Sequence, residues 1–98
     1  MADIEFYKER QQLAEVKRYR YNQEGMWNST TALISAVATS VSPITGLTVT
    51  ADYDGNDAFL WAGTSTTAAE YTITVTVTAD NNEVDVFHVV VTTVANTA

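Results

Sequence analysis

Tyr71-Thr72-Ile73-Thr74-Val75-Thr76-Val77-Thr78 alternates apolar and hydroxylated side chains without a miss. Successive side chains of a β-strand point to opposite faces, so Tyr71, Ile73, Val75 and Val77 make one face and four threonines the other. Thr is β-branched and suits a pleated surface while staying wettable. The stretch reads as a strand with one face in a core. Asp80-Asn81-Asn82-Glu83 follows it, and Asn tolerates the left-handed backbone that tight hairpins need. Val84 to Val94 is then a second strand with Phe87, Val89 and Val91 on one face and Val84, Val86, His88 and Val90 on the other. Apolar residues on both faces predict cover on both sides. One cover is the core, and the other is the chain's own leader or another subunit.

The same reading extends upstream. Leu47, Val49, Ala51 and Tyr53 share a face, Asp54-Gly55-Asn56-Asp57 is a turn, and Ala58-Phe59-Leu60-Trp61 is a short strand ending near Gly63. Thr31 to Val41 is a less regular strand, compatible with a bulge and closed by Ser42-Pro43. Val16 to Tyr21 is a first strand with Tyr19 and Tyr21 on one face and Arg18 and Arg20 on the other. About six short strands separated by turn signals are the mark of an antiparallel β-sandwich.

The leader is unlike this body. All five bases of the 98-residue chain, Lys8, Arg10, Lys17, Arg18 and Arg20, fall within its first twenty residues, beside Asp3, Glu5, Glu9 and Glu15. From Tyr21 onward there is no base, and there are eight acids: Glu24, Asp52, Asp54, Asp57, Glu70, Asp80, Glu83 and Asp85. The net charge of −7 therefore hides a split. Lys8 to Glu15 is rich in helix formers and Asp3 can cap, but a lone helix this short is marginal in water. The expectation is an arm over residues 1–15, helical or extended and ordered by a partner, joined to a sandwich over residues 16–98. Tyr and Arg are enriched at protein–protein hot spots. The docking residues expected on and beside the arm are Phe6, Tyr7, Arg10, Leu13, Arg18, Arg20 and Tyr21, with Tyr19 and Trp27 read equally well as core anchors. The acidic body argues for a protein partner rather than nucleic acid.

Catalytic and cofactor chemistry finds little footing. There is no cysteine, and the one histidine, His88, has no partners at metal-ligand spacing. Neither a Gly-x-Ser-x-Gly elbow nor a phosphate-binding glycine loop occurs. Asp52 to Asp57 opens like a calcium loop, but Asp57 and Gly63 stand where that loop needs Gly and Glu, so a hairpin turn is the better reading. The expectation is no catalytic residue, metal or cofactor. No apolar run reaches the ~20 residues that span a bilayer. The start of the chain lacks a basic-then-apolar signal, so synthesis in a cytoplasm is expected.

The order of these motifs resembles one family, the small immunoglobulin-like fiber–tail adaptors of tailed bacteriophages. The resemblance spans about residues 15–94 and is carried by Tyr19-Arg20-Tyr21-Asn22, Met26-Trp27, Leu33-Ile34, Gly46-Leu47-Thr48-Val49, Leu60-Trp61, Tyr71 to Thr78, and Asp85-Val86-Phe87-His88-Val89. The chain departs from the family at Ala62-Gly63-Thr64-Ser65, at Asn81-Asn82 and at Asn22-Gln23. The resemblance implies an immunoglobulin-like sandwich acting as a non-enzymatic virion structural protein. It would sit in the neck or tail region, repeated by symmetry, and join other virion proteins such as tail components or fibers. The alternatives are a capsid decoration or cement protein of the same fold, and a carbohydrate-binding adhesion module using Trp61 and Tyr53.

Overall fold

A computed structural model describes residues 5–94 except residues 24, 26, 29, 30 and 44, and of Glu5 and Phe6 it describes the backbone only. Every regular element among them is a strand: β1 (Glu5–Gln12), β2 (Lys17–Asn22), β3 (Ile34–Ser42), β4 (Val49–Asp54), β5 (Asp57–Ala62), β6 (Glu70–Ala79) and β7 (Val84–Val94). They form two sheets, one ordered β1-β7-β6-β3 and the other β2-β5-β4. All pairings are antiparallel except β1 with β7. The sheets pack face to face as a β-sandwich. In an immunoglobulin constant-type sandwich, the second, fifth and fourth strands share one sheet and the third, sixth and seventh the other. This chain has that order, but its first strand has left the second and pairs in parallel with the seventh.

The alternation in β6 places the core. Tyr71, Ile73, Val75 and Val77 are completely buried, as are Val89 and Val91 from β7 and Ala58, Leu60 and Ala62 from β5. Full burial of a Val, Leu or Ile side chain stabilises by roughly 1.5–3 kcal/mol, so these rows dominate the packing. The Tyr71 hydroxyl donates to the Thr67 carbonyl at 2.7 Å, the tyrosine corner that ties the entry of the sixth strand to the loop before it. Gly46 makes room for that ring. Its φ is +103°, and a Cβ there would run into the Tyr71 hydroxyl. The register slips between Ile34 and Ala36, the bulge that the irregular pattern of β3 allowed.

Two hairpin tips hold the long connection from β2 to β3. The Gly55 carbonyl accepts from the Ile34 N–H at 3.0 Å, and the Asn56 carbonyl accepts from the Gln23 N–H at 2.7 Å. Asn56 also receives the indole N–H of buried Trp27 on its Oδ1 at 3.0 Å and donates from Nδ2 to the Ala32 carbonyl at 3.2 Å. At the other tip, Asp80 donates its N–H to the Leu33 carbonyl at 2.8 Å, and Glu83 accepts from the Asn28 N–H at 3.0 Å. The turn at Asp54–Asp57 is thus a hub for the crossover. Only its first central residue, Gly55, has positive φ, as a type II′ hairpin requires.

Two expectations are corrected. Of the two conformations expected for the leader, the structure has the extended one, and residues 5–12 do not wait for a partner: they are an edge strand paired with β7 from Glu5↔Phe87 to Gln12↔Val94. The physical reason is Gln11, which is 2% exposed. Its Nε2 donates to the carbonyls of Glu15 and Ala62 at 3.0 and 3.1 Å, and its Oε1 accepts from the Tyr19 hydroxyl at 2.8 Å. One β1 side chain is thereby tied to the turn that follows it and to β5 and β2 of the opposite sheet. The second correction concerns the leader as the outer cover of β7, one of the two covers expected. The leader lies beside it rather than over it, so Val84 and Val86 stay 58% and 41% exposed on the outer face.

Replacing Gln11 by Ala strands the Tyr19 hydroxyl and opens a cavity, so a loss of roughly 3 kcal/mol is expected. Deleting residues 1–12 should cost more, because it bares the edge of β7. Thermal unfolding checks both, and a truncated chain that melts with the full chain would show that β1 is not part of the folded unit.

Candidate functional site: an arginine and aromatic sheet face

The outer face of the three-stranded sheet is built by alternation in its central strand. Ala58, Leu60 and Ala62 of β5 are fully buried, so Asp57, Phe59 and Trp61 look outward. The ladder sets their neighbours. Trp61 stands between Arg18 of β2 and Thr50 of β4, Phe59 between Arg20 and Asp52, and Asp57 between Asn22 and Asp54. A hydrophobic centre is thus flanked by arginines on one side and aspartates on the other.

Arg18 lies along this centre, its guanidinium carbon 4.0 Å from the Phe59 ring centroid and 5.7 Å from that of Trp61. Such a cation over rings that are at least partly exposed contributes about 0.5–1 kcal/mol. Trp61 keeps 44% of its surface exposed. Arg20 approaches Asp57 at 3.7 Å, an exposed pair of little energetic weight. Asp57 also accepts from Asn22 Nδ2 at 2.7 Å.

The expected docking residues divide between surface and core. Arg18 and Arg20 share this outer face, and Arg10 is exposed on β1. Leu13 is half-buried in the turn after β1, where its N–H donates to the Val94 carbonyl at 3.0 Å. Tyr21 is a core residue instead, and Tyr7 packs against the core. Their rings stand 4.7 Å apart and 5.5 and 5.3 Å from the Phe87 ring; Tyr21 is 8% exposed and offers no surface to a partner, whereas Tyr7 packs against the core half-buried. Phe6 sits opposite His88 on β1, and its side chain lies outside the described part. Phe59 was missed as a member of the face. Its signal was its phase, since it is two residues from Trp61 and out of step with Ala58, Leu60 and Ala62.

Other expectations are placed as follows. Trp61 is level with Thr50 while Tyr53 is level with Ala58, so the two aromatics proposed for sugar stacking leave opposite faces of the sheet. Tyr53 moreover donates its hydroxyl to the Ser35 carbonyl at 2.8 Å. Among the described residues, no three acids or histidines converge to hold a metal ion. In the Asp52–Asp57 stretch, Asp52 instead accepts its neighbour's N–H, and Asp57 serves Asn22 and Arg20. His88 lies on the outer face of β7 within 3.1 Å of the Thr74 hydroxyl on β6. No described helix is long and apolar enough to cross a membrane. Compared with known protein families and curated proteins, the chain matches no family model and no curated sequence.

The tyrosines beneath the face give a pH signature. Burial, reinforced by Glu9 and then Glu15, pushes the Tyr19 hydroxyl up from 10.0 to about 12. Burial, reinforced first by Glu9, pushes Tyr21 up as well. Both phenols hold their protons longer in the folded chain than in the unfolded one. The stability this gives is complete below pH 10 and is lost as pH rises through the folded values. The Tyr21 hydroxyl makes no hydrogen bond, whereas that of Tyr19 does. Tyr21→Phe should therefore cost less than about 1 kcal/mol at pH 7 and make the alkaline loss of stability shallower. Unfolding followed from pH 8 to 12 checks this, and an unchanged alkaline slope would show that Tyr21 does not carry the effect.

Proposed function

We propose that this chain is a non-catalytic docking module, a structural part of a tailed-bacteriophage virion that joins neck or tail components or fibers. The docking half is carried by one observation, the exposed Trp61 on a sheet face where Arg18 spreads over Phe59 and Trp61. Aromatic and arginine side chains clustered at the centre of a flat surface have the composition of protein–protein hot spots. In this reading the leader supplies a strand and its bases, and contact is made by the sheet face rather than by a free arm. The virion half is supported by the order of motifs from Tyr19 to Val89 that resembles the fiber–tail adaptors. A capsid decoration role would use the same face at another place on the particle.

Particle location and the face are tested together. Mass spectrometry and antibody-labelled electron microscopy of particles made by a genome carrying this gene should find the chain at the neck or tail. Label on the capsid would favour decoration, and absence from particles would sink the virion reading. Trp61→Ala combined with Arg18→Glu should leave the melting temperature within a few degrees, because both side chains are exposed. The same variant should fail to enter particles. Normal incorporation of the double variant would remove the face from the contact.

A further inference from the structure

Folding turns the charge split of the sequence into a charge split in space. Lys8 and Arg10 sit on β1, the edge of one sheet, and Lys17, Arg18 and Arg20 sit on β2, the edge of the other. The Tyr19–Gln11 hydrogen bond of 2.8 Å and the Tyr7–Tyr21 ring contact of 4.7 Å put these two edges side by side. All five bases of the chain therefore lie on one flank. Of the acids on that flank, Glu15 is taken up by the Gln12 N–H. The other flank is formed by β3 and β4, which touch each other across the sandwich. It carries no base, and β4 bears Asp52 and Asp54.

Among the described residues no strand pairs with the outer side of β2 or of β4, because β1 pairs with β7, although the Tyr53 N–H of β4 is taken by the Asp52 carboxylate. An open strand edge presents unpaired N–H and C=O groups that can accept another strand. Charge decides which strand. Two β2 edges brought together would oppose Lys17, Arg18 and Arg20 to one another, and two β4 edges would oppose Asp52 and Asp54. Like edges repel and unlike edges attract.

The register also matches. β2 and β4 each run antiparallel to β5, so they run parallel to each other, and Arg20 and Asp52 stand level because both pair with Phe59. A second copy set beside the first in the same orientation brings its β2 alongside β4 with Arg20 opposite Asp52 on the same outer face. Arg18 then falls level with Thr50.

We propose that the chain self-associates head to tail, the basic β2 edge of one copy adding in parallel to the acidic β4 edge of the next, with Arg20 paired to Asp52. Such an interface is heterologous, so it builds a closed ring where the rotation per copy closes and an open filament where it does not. The inference concerns contacts between copies of the chain and does not rest on the virion reading.

Sedimentation of the purified full chain tests it. The wild-type chain should associate as concentration rises. Association should weaken between about 0.1 M and 1 M salt, where the screening length falls from ~10 to ~3 Å. Arg20→Glu and Asp52→Lys, each alone, should sediment as monomers with unchanged circular dichroism. Mixed in equal amounts, the two variants should associate again, because each restores the opposite charge the other lacks. A monomeric wild-type chain would overturn the proposal. So would single variants that still associate, or a mixture that stays monomeric. These outcomes are independent of whether the Trp61 face enters particles.

Discussion

One buried amide fixes the course of residues 5–22. The Gln11 side chain is enclosed and spends both of its donors and its carbonyl oxygen on protein partners. A buried amide with any of these unmade would cost on the order of 1–3 kcal/mol, so its position is closely constrained. The constraint acts across the sandwich, since Gln11 belongs to the sheet of β7 while Ala62 and Tyr19 belong to the other. Holding β1 there forces the turn at 13–16, delivers β2 to the opposite sheet and sets Tyr7 against Tyr21 and Phe87. That turn meets Gly63, whose missing side chain lets the Glu15 carbonyl and Val16 come close.

The surface features follow from this placement. Because the first strand flanks β7, β2 becomes an edge and its alternate residues Arg18 and Arg20 face solvent over the aromatic row of β5. The bases that cluster in the sequence become a flank in the folded chain. The acidic body then places its own charge at the opposite edge and at the hairpin tips. A domain without a base beyond Arg20 thereby acquires two chemically different sides. Different sides are what a part needs if it is to meet different neighbours in a fixed orientation.

How much of this could be read in the sequence depends on whether period and propensity agreed. In β6 they agreed, since β-branched residues alternated with a strict period of two, and the strand, its buried face and its hairpin partner were all legible. In β2 the two faces were legible, Tyr19 and Tyr21 on one and Arg18 and Arg20 on the other, but not which was buried, and Tyr21 was read as a docking residue. In β1 they conflicted. Lys8 to Glu15 favours a helix by composition, and its inward row carries Glu9 and Gln11 where an apolar residue would have revealed the strand. Tertiary hydrogen bonding overrode local propensity there, and no local pattern announces such bonds. The leader was misread as a cover for the outer face of β7 for a related reason. Valine on both faces signals a good strand former as readily as it signals cover. The arginine and aromatic face was half legible, because Arg18, Arg20 and Trp61 each stood out while the pairing that gathers them depends on the order of strands.

The central claim is that residues 5–12 are a permanent strand of the sandwich and not an arm that orders on binding. Native-state hydrogen exchange of the isolated chain tests it most directly, because a free arm and a paired strand differ in backbone protection by many orders of magnitude. The account predicts that the amides of Lys8 to Gln12 hydrogen-bonded to β7 are protected to a degree approaching those of β7 itself. Exchange of all these amides at the rate of an unstructured peptide, with β6 and β7 still protected, would contradict it.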